Sequence, residues 1–165
     1  GNTGGTGGTG GVAEGACTDA ADEAVYADLT FVNGKGQSSS GTDAASAIGS
    51  ECVRGSQSSV PAVGGCGTET LNVVACFPNC PQPTIDALAT CVEQCVNDTI
   101  QEITGSTLST DCVGCYGGTV ACGAAFCTAA CVADTTAPMC IDCRCTNNCT
   151  PDFVICSGIP SNDCN

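Results

Sequence analysis

The chain has 165 residues, 18 of them cysteine and none histidine, with a formal net charge of −14 at pH 7. Cysteine above a tenth of a chain marks a disulfide scaffold in an oxidising, exported setting, and the even count fits nine bridges. With only Lys35, Arg54 and Arg144 positive, nucleic acid and anionic lipid headgroups are repelled, and the missing histidine removes the usual partner of a catalytic Ser or Cys.

A chain of this length can bury about 70% of its surface on folding, so size alone does not require cross-links. Core quality does. Aromatics are 4% of residues, Trp is absent and Met occurs once. Small side chains bury little area at roughly 25 cal/mol per Å², and disulfides offset the deficit by about 3 kcal/mol for a loop of about 15 residues.

Residues 1–11 repeat a Thr-Gly-Gly triplet with Thr3, Thr6 and Thr9 in phase. Residues 1–16 therefore read as an extended Gly/Thr-rich arm or linker, whose threonines would line one edge for glycosylation or contact with a neighbouring subunit. The start at Gly1, without Met or an apolar leader, leads us to expect an export signal already removed. Residues 17–165 read as an all-α, disulfide-stapled domain of short helices and helical hairpins, with candidate sub-units at 17–80 and 81–165. Thr18 is the expected N-cap of a helix over 19–28, followed by a short strand over 29–32 and a polar turn around Asn33-Gly34. Thr42 should cap a helix over 43–54, and Thr68 one over 69–77. The Pro81-Gln82-Pro83-Thr84 run opens an amphipathic helix over 85–103 that Gly105 closes. Asp111 should cap the next helix. Helices over 138–147 and 152–156 lead into an irregular tail.

Residues 112–133 carry no charge, and their length could span a bilayer. Four Gly, five Cys and several Ala and Thr there instead point to a central buried helix, broken near Gly117-Gly118, with no membrane span.

Cysteines recur at spacings of three and four, which place both sulfurs on one helix face. Two antiparallel helices so equipped form nested bridges, the two ends of each being equidistant from the turn. Cys131–Cys140 and Cys127–Cys143 nest about Thr135 and Thr136. Cys95–Cys115 with Cys91–Cys122 nest about the Gly105 loop, in preference to Cys80–Cys91 with Cys76–Cys95 about the Pro-Gln-Pro turn. The remaining cysteines are expected to be paired with partners that the spacing does not select.

Cys112/Cys115 and Cys140/Cys143 match Cys-x-x-Cys, but a redox or zinc role requires free thiolates, and neither motif follows a strand. Cys140 through Cys149 and Pro151 approach a ferredoxin run without matching its spacing. We therefore expect no metal, no cofactor and no enzymatic activity. Asn97-Asp98-Thr99 and Asn148-Cys149-Thr150 fit the N-glycosylation acceptor pattern, so Asn97, Asn148 and the three arm threonines are candidate glycan sites.

Cys112-Val-Gly-Cys115-Tyr116, Cys122 through Cys131 and the closing Phe153-Val-Ile-Cys156, behind a Gly/Thr-rich leader, resemble uncharacterised cysteine-rich exported proteins or lipoproteins of myxobacterial-type genomes. The likeness covers mainly residues 76–158. It implies a bacterial envelope or extracellular setting, with the arm spacing the domain from an anchor, and brings no activity or site with it. Composition, cross-linking and arm together lead us to expect an extracellular or cell-surface structural protein, a filament or surface-layer subunit whose arm contacts the next copy. A monomeric binding or adhesion module on a spacer is the alternative, and a cysteine-based metal or redox protein the second.

Overall fold

Helix-forming stretches separated by Gly, Pro and Asn punctuation dominate the computed structural model, which describes residues 14–54 and 65–165. In chain order these are α1 (Ala20–Asp28), β1 (Thr30–Val32), β2 (Ser38–Ser40), α2 (Gly41–Cys52), α3 (Gly67–Cys76), α4 (Gln82–Thr104), α5 (Thr110–Cys131), α6 (Pro138–Thr146) and α7 (Cys149–Ser157). The Thr-Gly-Gly repeat lies outside the described residues. The result is a small all-α, disulfide-rich domain with one minimal hairpin. In that hairpin Phe31 lies opposite Ser39, and β1 runs antiparallel to β2. The serine run is a strand because Asn33 closes the turn: its side-chain oxygen accepts the backbone N–H of both Lys35 and Gln37, each at 2.9 Å. The hairpin is held to α2 through Glu51, whose Oε1 accepts the Gly34 N–H at 3.1 Å.

Helix ends follow local chemistry, although the caps are displaced from the expected residues, one position later in α1 and two earlier in α2, α5 and α3, where Cys66 stands in place of Thr68. Asp19 caps α1 by accepting the Asp22 N–H, while the Thr18 hydroxyl donates to Gly15 O instead. Ser109, not Asp111, caps α5 and accepts the Cys112 N–H. α2 starts after Ser40 rather than Thr42. Gly105 ends α4 as expected, in the left-handed conformation at φ +80° that glycine adopts without strain.

The longest two helices, α4 and α5, pack against each other through small residues. Gly114, Gly117, Gly118 and Ala121 of α5 are all buried, and at Gly117 the backbone of α4 comes so close that an added Cβ would lie 2.6 Å from Ala89 O and 2.6 Å from Glu93 Cγ. The expected break at Gly117-Gly118 is therefore absent, because those glycines permit helix contact rather than end the helix. Non-helical geometry falls at Cys127 instead (φ −127°, ψ 15°). A single buried cluster draws on both 17–80 and 81–165, including Leu29, Ile48, Val73, Leu88, Val92, Val96, Ile100 and Tyr116.

Two outcomes follow from the α4–α5 contact. Gly117→Ala puts a methyl against a backbone oxygen that cannot yield, so we expect a loss of about 1–3 kcal/mol in denaturant unfolding with disulfides intact. Gly123→Ala, whose Cβ meets nothing nearer than Arg144 Cδ at 3.8 Å, is the tolerated control. Burial raises the Glu93 carboxyl above its ordinary value. A carboxyl raised in the folded state favours folding while protonated and loses that contribution as pH rises through its folded value. Glu93→Gln should accordingly raise Tm at pH 7 and lose that advantage at pH 3; an equal gain at both would contradict the assignment.

Candidate functional site

No cluster of catalytic groups stands out among the described residues, and no three His, Cys, Asp or Glu side chains there are placed to hold a metal ion. What the chain builds instead is a cross-linked spine. All eighteen cysteines are paired, and α5 carries one end of five bridges: Cys17–Cys112, Cys115–Cys156, Cys122–Cys149, Cys127–Cys143 and Cys131–Cys140. The two innermost pair as their spacing predicts. The other two expected bridges are corrected: Cys95 joins Cys52 and Cys91 joins Cys66, leaving Cys115 and Cys122 to bond α7.

The reason lies in helix rotation. α4 presents Ala89 and Glu93 to α5; Cys91 lies two residues from each, about 200° around at roughly 100° per residue, and so faces the opposite side. Cys115 and Cys122 likewise lie about 140–160° from Gly117. A face on which even an added Cβ would lie 2.6 Å from the α4 backbone leaves no room for disulfides. The signal for the true partners was nonetheless present, because Cys115–Cys156 and Cys122–Cys149 centre on the same Thr135–Thr136 point as the two inner bridges. One antiparallel arrangement of α5 against α6 and α7 therefore satisfies four bridges at once.

The remaining spine bridge fastens the root of the N-terminal arm. The N–H groups of Gly15, Ala16 and Cys17 donate to the carbonyls of Ile155, Cys156 and Ser157 at 3.1, 2.8 and 3.0 Å, so the incoming chain satisfies the open C-terminal end of α7. Cys17 then bonds Cys112 in the first turn of α5. Beside it, buried Asp22 accepts both the backbone N–H and the hydroxyl of Ser109, each at 2.7 Å. Tyr26 Oη lies 3.2 Å from Cys112 Sγ and 3.0 Å from Tyr116 Oη. A disulfide sulfur has no proton, so Tyr26 donates to it and Tyr116 donates to Tyr26. Tyr116 also packs edge-on against Phe153 of α7, with ring centroids 5.0 Å apart. An open cleft of about 450 Å³ runs past this root, with Glu14, Asp19 and Asp111 along it.

Of the candidate glycan sites, Thr3, Thr6 and Thr9 lie outside the described residues. Asn97 is engaged on both faces of its amide: Nδ2 donates to Leu108 O at 3.0 Å and Oδ1 accepts the Leu108 N–H at 2.9 Å. It clasps the α4–α5 connection with the atom a glycan would take. Asn148 is exposed at φ 63°, ahead of α7. α5 has the length and apolar composition to cross a membrane; 56% of its apolar window is buried within the domain.

Fold and site together define a helical domain organised by disulfides around one helix whose single charge is Asp111. No family model, curated protein or solved structure matches the chain.

The arm root has its own spectroscopic readout, since Tyr26 and Tyr116 are the only tyrosines and Trp is absent. Burial is the main cause lifting Tyr26 to about 12, and burial with the neighbouring Tyr26 oxygen lifts Tyr116 further. Native protein should show no tyrosinate absorbance at pH 10.5, whereas the reduced, denatured chain titrates near the ordinary value of about 10. Because both groups hold their protons more tightly when folded, stability should fall as pH rises above about 10.

Proposed function

We propose that the protein is a non-enzymatic extracellular structural subunit that self-assembles, its Gly/Thr-rich arm contacting a neighbouring copy. The observation that carries this reading is the arm root. Three backbone hydrogen bonds tie the base of the arm to the end of α7, and Cys17–Cys112 ties it to α5, the helix that holds five of the nine bridges. Load on the arm passes through Cys17–Cys112 into α5 and, through the four other bridges of that helix, into α6 and α7. Complete cysteine pairing supports an oxidising location, as expected of a secreted or cell-surface protein.

The net charge of −14 favours the monomeric binding or adhesion module at low salt, because copies repel; assembly then needs salt or bridging cations. Asn148 and the arm threonines remain the sites at which a glycan would decorate such a surface.

Light scattering and electron microscopy of the full chain, at low and at physiological salt, and of a chain lacking residues 1–11, test the proposal. Polymers that require both salt and the arm are expected. Polymers unchanged by the deletion, or a monomer under every condition, would overturn it.

A further inference from the structure

Among the nine bridges, Cys76–Cys80 is unlike the rest. Seven have at least one end in a buried residue; Cys76–Cys80 and Cys145–Cys164 have none. Its ends are separated by 4 positions in sequence, against 9 to 95 for the others. Opening it therefore releases no distant segment: α3 stays joined to α4 through Cys66–Cys91, and α4 to α2 through Cys52–Cys95. Opening Cys145–Cys164, by contrast, removes the covalent tie between α6 and the C-terminal tail, leaving the Arg144–Asp163 ion pair at 3.6 Å.

From this geometry we propose that Cys76–Cys80 is a thiol–disulfide exchange site for an external thiol, a role separate from assembly through the arm. The two sulfurs are not equivalent. Cys80 packs against the buried core and stands one residue before Pro81, the N-cap of α4, an end that no side chain caps. Cys76, half-buried, ends α3 and leads through Phe77 to the exposed Pro78 and Asn79. An incoming thiolate attacks Cys76 Sγ, forming a new S–S bond to it. The Cys76–Cys80 bond breaks and its electron pair leaves on Cys80 Sγ, where the positive end of a 23-residue helix favours the departing thiolate. That thiolate takes a proton from solvent. The Val73 carbonyl oxygen, 3.1 Å from Cys80 Sγ, then accepts the new thiol's hydrogen. Reattack by Cys80 expels the guest thiol and restores the bridge; a second external thiol would instead leave two protein thiols and one external disulfide. Electrons and protons balance in both branches, with the external thiol as the co-reactant.

Incubating the folded chain with a reduced/oxidised glutathione mixture, quenching in acid, alkylating and mapping the peptides by mass tests this directly. The expected product carries one glutathione on Cys76 and one alkyl group on Cys80, with the eight other bridges intact and the far-UV spectrum unchanged. A Cys76→Ser/Cys80→Ser double variant should take up no glutathione under the same conditions. Exchange first at Cys145–Cys164 or any other pair, or no adduct before all eighteen cysteines open together, would overturn the site. Glutathione on Cys80 with Cys76 free would overturn the assigned direction of attack. The map on the unaltered chain decides between these outcomes even if the double variant does not fold.

Discussion

α5 must be enclosed on several sides, because it has almost nothing with which to face water and little with which to fill a core. Its first-turn Asp111 is its single charge, and beyond Val113, Tyr116, Val120 and Phe126 its side chains are Gly, Ala, Thr and Cys. A stripe of glycine and alanine can lie against α4 only at backbone distance, where burial per residue is small. Five disulfides supply the attachment that side-chain area does not. They hold α6, α7 and the arm root to the faces of α5 that α4 leaves open.

The same enclosure explains why the arm root is the most elaborated polar region. Entry of the chain beside the end of α7 would otherwise leave carbonyl groups and the first turn of α5 without partners. Gly15 through Cys17 satisfy the carbonyls, Asp22 holds Ser109, and Ser109 caps α5. At Gly158, an added Cβ would lie 2.9 Å from Gly15 Cα, so two glycines allow the incoming and outgoing backbones to touch. Both tyrosines, each with a hydroxyl that burial must satisfy, point their oxygens into this region. Attachment of the arm root to α5 and α7 and order at the entry point are thus products of one set of contacts.

Much of this was legible from residues with strong local meaning. Gly105 after a long amphipathic stretch marks the end of α4, and Pro81 with Pro83 marks its start. The Thr135–Thr136 centre predicts the inner two bridges, and carried outward the same rule finds two more. It failed at Cys91 and Cys95 because an equally tidy centre near Gly105 ignores which face of α4 meets α5. Only the glycine contact at Ala89 and Glu93 resolves that choice. β2 was missed because Ser38–Ser40 has no alternation of its own; its conformation depends on pairing with β1 and on the turn that Asn33 builds.

The amino-acid sequence by itself determined helical class, dependence on disulfides and the near absence of charge from the central helix, since these follow from composition and from spacings within a few residues. Tertiary structure alone decided which cysteines meet, where the arm is fastened and which two bridges have no buried end. The physical reason is that a cysteine pair reports only the side of its own helix, while bonding requires two sides to face each other. That relation was set by close contact between residues with almost no side chain, and glycine leaves little trace in a sequence of what approaches it.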